Sequence, residues 1–319
     1  MSELCCDTGQ VGRRDFLRRI SSAAAAAAAF GQVGRAAEKQ KSLPPMATIQ
    51  LGKHTISRLV AGWNPVDGHS HSTANLRNAM REYFTPDNTV EFLANCERNG
   101  ITAWQFDYTD KSVEVIRRRR AQGTKMRFIC LHAERKTDVP IKQVLDDTAP
   151  IAVVHHGGVT DSLFRSGNSQ QVHDFVKKVH DAGMLAGVSA HNPDNIQRIA
   201  DEGWENDLFM CCFYFVSRPK EEQEKLLGKV AVYEPYFESD PLDMTKVIRQ
   251  VRQPCLGFKI LAAGRLCWSK PSINRAFKFA FSNIKPIDGV IVGMFPRYTD
   301  EVSEDAECAR TFGALRGAS

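Results

Sequence analysis

Hydrophobic and polar positions alternate along this chain in a long repeat. Short apolar runs are each followed by a stretch in which apolar residues recur every three or four positions. The first pattern is that of a strand buried on both faces, the second that of a helix with one apolar stripe. Eight such pairs follow one another. The predicted strands are 56–62, 101–107, 126–132, 151–156, 185–190, 208–215, 255–261 and 289–294. The predicted helices are 88–99, 111–122, 139–147, 169–182, 193–202, 240–252, 273–284 and 300–310. Strict alternation implies a parallel sheet. Eight pairs over about 265 residues match the size of a closed (β/α)8 TIM barrel. An open doubly wound sheet would need a Gly-x-Gly-x-x-Gly turn after its first strand, and none is present.

The segments between these pairs carry their own signals. Residues 49–56 read as a hairpin turning at Gly52-Lys53, a plug rather than a barrel strand. Residues 63–88 form a polar stretch with His69, His71, Tyr83, Phe84 and room for a short helix. Loops of that length in compact domains tend to be functional lids or disordered. A charged connection follows Phe215 and ends in the aromatic patch Tyr233, Tyr236 and Phe237. Asn192 or Asp194 with Pro193, and Asp240 with Pro241, read as helix caps followed by a first-turn proline. Val113 and Ile116 read as the inward face of the second helix, and Arg117 to Arg120 as its solvated C-terminal end, complementing the dipole.

Composition adds a leader. Arg13-Arg14 is followed by Asp15-Phe16-Leu17, an alanine-rich segment from Ile20 to Val33, and Gly34-Arg35-Ala36. That is a charged start, a weakly apolar middle and small residues near a cut. The run resembles a twin-arginine signal, which exports proteins already folded. Residues 1–40 are therefore expected to be signal peptide and linker, and 41–319 a single barrel domain. The expected location is periplasmic or otherwise extracytoplasmic, with the twin-arginine export machinery as a partner. The apolar run is too short for a permanent membrane span. The net charge of +5, partly carried by the leader's arginines, does not indicate a nucleic-acid surface. The nine cysteines form no Cys-x-x-Cys pair, and Cys130, Cys211, Cys212 and Cys255 sit in apolar runs, as buried free thiols do.

Candidate chemistry gathers at strand ends. Asp107, His132, His155 or His156, His191, Tyr214 and Lys259 each lie at or just past the end of an apolar run. In a parallel barrel those ends share the catalytic face. Side chains alternate along a strand, so His155 and His156 cannot both face inward. Gly157-Gly158 would let a ligand approach His156 closely, which favours His156. Asp107, His132, His156 and His191 could hold a divalent metal, with His69 or Glu134 adding a ligand. The same histidines could instead work without metal, or serve only as pocket residues. Lys259 could form a Schiff base or simply contact a ligand. A non-catalytic barrel binding a small polar ligand, with Trp63, Tyr83, Tyr214 and Tyr236 stacking on it, is a further reading. Under the two catalytic readings His132 and His156 should approach closely enough to share a ligand or metal.

Several segments together resemble the aldo-keto reductase family. They are Leu51-Gly52-Lys53 leading to Ser57-Arg58-Leu59, Gly187-Val188-Ser189, Gly257 to Arg265, and Ile291-Val292-Gly293-Met294 with Glu301, Glu304 and Asp305. The resemblance spans most of residues 48–310. It implies a TIM barrel that transfers a hydride between a nicotinamide nucleotide, NAD or NADP, and a small-molecule carbonyl. It implies an Asp, Tyr, Lys and His tetrad, for which Asp107, Tyr108, His132 and His156 stand here. His132 replaces the Lys, whose charge would lower the Tyr pKa. The cofactor would lie against Ser189, Tyr214, Lys259, Gly264, Arg265, Gly293 and Met294. Glu301 stands where an Arg would grip a 2′-phosphate, which points to NAD rather than NADP.

Overall fold

A computed structural model describes residues 44–315. The expected leader and linker, residues 1–40, lie outside the described residues. The chain enters through an antiparallel hairpin, β1 (Thr48–Leu51) and β2 (His54–Ser57). The barrel strands are β3 (Leu59–Ala61), β4 (Ala103–Asp107), β5 (Arg127–His132), β6 (Ala152–His155), β7 (Leu185–Ala190), β8 (Leu208–Cys212), β9 (Cys255–Phe258) and β10 (Gly289–Val292). They pair in parallel in that order, and β10 returns to β3, so the sheet closes. The architecture is the (β/α)8 TIM barrel expected from the alternation.

Two apolar layers follow from strand parity. Val60, Ala103, Ile129, Val154, Met210, Leu256 and Ile291 fill the barrel interior. Their neighbours Leu59, Trp104, Phe106, Cys130, Val153 and Phe209 face the helices. The hairpin caps the interior, because Ile49, Leu51 and Ile56 pack into the inner cluster and are almost wholly buried. Each such side chain contributes roughly 1.5–3 kcal/mol on burial. Arg58 then fixes the junction. Its guanidinium donates to the Asp288, Gly313 and Lys285 carbonyls at 2.9, 2.8 and 3.2 Å.

The helices are α1 (Ala74–Tyr83), α2 (Pro86–Arg98), α3 (Asp110–Ala121), α4 (Ile141–Thr148), α5 (Gly157–Arg165), α6 (Gln170–Asp181), α7 (Pro193–Asp201), α8 (Lys220–Leu227), α9 (Asp240–Gln250), α10 (Lys270–Asn283) and α11 (Glu301–Phe312). Several start as their residues dictate. Thr85, Asn192, Ser269 and Asp300 each accept a first-turn backbone N–H, and proline sits in the first turn after the first three. Among the described residues no helix is long and apolar enough to cross a membrane.

Several expectations are corrected here. Asp240 is not a cap but the first residue of α9, buried and accepting from Phe215 N and Arg218. Arg119 is not a solvated helix end: it is buried and paired with Glu97 at 2.6 Å. Arg120 donates to the carbonyls of Thr148 and Ala149, closing the end of α4. On α3 the fully buried apolar pair is Val115 and Ile116, with Val113 half-buried. The segments 157–165 and 220–227, read as connections, are the helices α5 and α8. The seven cysteines of the described residues are free, and all but Cys267 are buried.

Candidate active site

The C-terminal ends of the barrel strands open into a cavity of about 640 Å³. Its floor is Leu131, Met210 and Ile291, the top of the inner layer. Asp107, His156, Ser189, His191 and Lys259 stand on its wall, and Trp63, Phe258 and Phe295 supply its apolar surface. Its size suits a small molecule or cofactor.

Asp107 ends β4 and faces inward. Burial pushes its carboxyl up to about 6, against a weaker opposing pull from His69. Gln105 donates to it at 3.3 Å. A carboxyl with that value exchanges a proton readily near neutral pH. His156 follows β6. Burial, helped by the Arg135 charge, lowers its ring to about 4, so it stays neutral. Its Nδ1 is buried without a protein partner.

Register explains which histidines meet the cavity. His132 pairs with His155 across β5 and β6, so the two share a face. That face is the outer one, whereas His156 lines the cavity. His132 and His156 therefore do not share a ligand as expected, and the tetrad with His132 in place of Lys fails together with the metal set Asp107, His132, His156 and His191. His132 lies beyond Cys130, its Nε2 donates to the Val139 carbonyl at 2.8 Å, and it does not line the main cavity. His155 lies 2.7 Å from Thr160 Oγ1 and packs edge-on against Phe175. Burial lowers its ring to about 3. His132 instead borders a shallower depression of about 360 Å³, shared with Tyr108 and reached by Asp107 and His156. Among the described residues, no three His, Cys, Asp or Glu side chains form a group able to hold a metal ion.

The other candidates divide. Ser189, Lys259, Gly264 and Gly293 line the cavity with Asp107, His156 and His191. Tyr108 does not: its hydroxyl donates to Asp147 at 2.5 Å and accepts from Gln143. Burial and Asp147 raise its pKa, the opposite of what a proton donor assisted by a cation needs. Tyr214 is buried against Tyr236, and Met294 is wholly buried. Arg265 lies over the Tyr236 ring at 3.8 Å and donates to the His71 carbonyl.

Several site groups were missed by the sequence reading. Asp161, on α5, is almost fully buried and accepts from His191 Nδ1 at 2.9 Å, His191 N at 3.0 Å and Asn195 Nδ2 at 2.9 Å. Ser217 donates to it at 2.7 Å. Burial opposes its ionisation, yet these bonds, His191 foremost, hold it below the usual carboxylate range. His71 lies 2.8 Å from Glu234, and Asn64 donates to its other ring nitrogen, at 3.0 Å. These bonds tie two loops together at the mouth. His71, Lys259, Ala262 and Ala263 have φ of +51°, +59°, +50° and +50°. Such strain in non-glycine residues is found at functional sites.

No protein-family model matches the chain, and no curated protein matches it. Solved structures share its barrel. A mutant of Gox0644 in complex with NADPH superposes with a TM-score of 0.51 at 11% identity, covering 86% of this chain and 91% of that one. The glycerol dehydrogenase AKR11B4 from Gluconobacter oxydans gives 0.45 at 12%, covering 85% and 98%. A truncated 3-deoxy-D-arabino-heptulosonate 7-phosphate synthase from Thermotoga maritima gives 0.49 at 13%, covering 85% and 92%. What this chain shares with them is a fold.

Proposed function

We propose that the chain is an oxidoreductase of the aldo-keto reductase type, acting on a small carbonyl or sugar-like molecule with a nicotinamide nucleotide. One observation carries this reading. Asp107, a carboxyl that exchanges its proton near pH 6, shares a cavity wall with the neutral ring of His156. Asp107 would hold the proton that passes to or from the substrate oxygen. His156 would orient that oxygen. Tyr108, tied to Asp147 outside the main cavity, takes no part in this step.

The cavity suits the nucleotide. Gly264 leaves its backbone bare there, with no atom within 4 Å of where a Cβ would stand. Ser189, Lys259 and Gly293 would contact the nucleotide on the same wall. When bound, the nicotinamide supplies or accepts the hydride. Glu301 lies at the mouth, and burial pushes its carboxyl up to about 7. A part-charged acid there disfavours a 2′-phosphate, so NAD is the expected form.

Titration of the purified chain by tryptophan fluorescence should show saturable NADH binding, tighter than NADPH. Replacing Asp107 by Asn or His156 by Ala should lower carbonyl reduction a hundredfold or more. Absence of binding by either nucleotide removes the reading. The leader is proposed to deliver the folded barrel through the twin-arginine route. Arg13→Lys with Arg14→Lys should retain the protein in the cytoplasm, and normal export of that variant rejects the assignment.

A further inference from the structure

The hydride reaction uses one proton-transferring group, yet the cavity has a second, and nothing in that reading employs it. His191 follows β7 and lines the cavity. Asp161 receives its backbone N–H and lies 2.9 Å from its ring Nδ1. Asn192 N, Asn195 and Ser217 also donate to that carboxylate. A carboxylate saturated with donors has no proton of its own to give. Nδ1 must therefore carry the hydrogen, and in the neutral ring Nε2 is left as the acceptor. Nε2 has no protein hydrogen bond among the described residues, and it is not among the buried unpartnered atoms. It is open to the cavity.

The ring is also held in place. Phe258 packs against it edge-on, with centroids 5.6 Å apart. Gly157 leaves room for it: a Cβ there would come within 3.3 Å of His191 Cε1 and 2.8 Å of Ser189 Oγ. In the closed ring β7 stands three strands from β4. His191 and Asp107 therefore line one cavity from well-separated strands, and Lys259 and Glu234 line it too.

We propose that His191, oriented by Asp161, is a second catalytic base, and that with Asp107 it exchanges the hydrogen next to the carbonyl of α-hydroxy carbonyl compounds. The step needs no nucleotide. His191 Nε2 takes the proton from the hydroxyl-bearing carbon. The C–H electron pair becomes the new C=C bond, and the carbonyl π pair moves to oxygen. That oxygen takes the proton from the Asp107 carboxylic acid, giving an enediol. His191 then returns its proton to either carbon, while the Asp107 carboxylate takes the hydroxyl proton from the oxygen on the other. That O–H pair becomes the C=O π bond, so the carbonyl is regenerated in place or shifted by one carbon. Lys259 and Glu234 offer a donor and an acceptor for further hydroxyls, which is why the substrate class is polyhydroxylated. The proposal shares with the preceding reading only the role of Asp107 as proton holder.

The test uses the nucleotide-free chain in D2O with dihydroxyacetone and with C5 and C6 ketoses, followed by proton NMR. Wild type should wash deuterium into the position next to the carbonyl at least tenfold faster than buffer, on at least one of them. His191→Gln, His191→Asn and Asp107→Asn should fall to the buffer rate while still unfolding in one cooperative transition, Asp107→Asn no lower in temperature than wild type. With 15N-labelled histidine, His191 should show a protonated Nδ1 and a bare Nε2, and Asp161→Asn should lose that tautomer preference. No exchange by wild type on any of these sugars overturns the proposal. So does full exchange by both His191 variants, or an Nε2-protonated His191. Exchange without nucleotide binding rejects the oxidoreductase reading alone, and nucleotide binding without exchange rejects this one alone.

Discussion

A carboxyl such as Asp107 costs the fold stability. Its pKa is about 6 when folded and about 3.9 when unfolded. Between those values the folded chain keeps a proton that the unfolded chain has lost. Stability from this group is therefore present at low pH and is lost as pH rises through about 4 to 6. Above that window the penalty is on the order of 2–3 kcal/mol. Asp107→Asn should be more stable than wild type by that order at pH 7.5 and close to it at pH 4, read by urea unfolding at both. In wild type, carbonyl reduction should weaken as pH rises through about 6, because the donor loses its proton. At this scale the sequence was partly legible. His156 could be preferred to His155 from strand parity and the glycines after it. The outward turn of His132 could not be seen, because it depends on where β5 stands in register against β6. Asp161 carried no signal, since its partners come from α7, the turn before it and Ser217.

Elements were more legible than residues. All eight barrel strands lie where apolar runs predicted them, because a strand buried on both faces leaves a continuous apolar signature. The hairpin was readable from Gly52, whose φ is +54° at the turn. Helix α5 was not. It begins His156-Gly157-Gly158 with no side-chain cap, and two glycines in the first turn are poor helix formers. The functional setting explains the choice: only glycine at 157 lets α5 start against Ser189 and His191. Gly157→Ala should overpack that contact at a cost of about 1–3 kcal/mol. It should also lower turnover at least tenfold by displacing the His191 ring, measured as kcat beside the melting temperature. A Gly157→Ala variant with unchanged kcat would show that the close packing does not matter to the chemistry.

At the scale of the whole molecule, alternation and length were enough to name the barrel, while the chemistry at its mouth depended on loops whose contacts span distant sequence. His71 and Glu234 meet across a sequence separation of 163 positions. The same is true of closure itself. The first barrel strand, β3, has the last, β10, as one of its two partners, and Arg58 beside it grips carbonyl oxygens at Lys285, Asp288 and Gly313. During synthesis Arg58 emerges early and its three acceptors emerge almost at the end. Until then β3 has an unpaired edge and the interior an open seam. The ribosome must therefore release nearly the whole chain before the last seam can zip shut. A leader that hands over only finished folds would have to wait, attached to the first part made, for the last part to arrive.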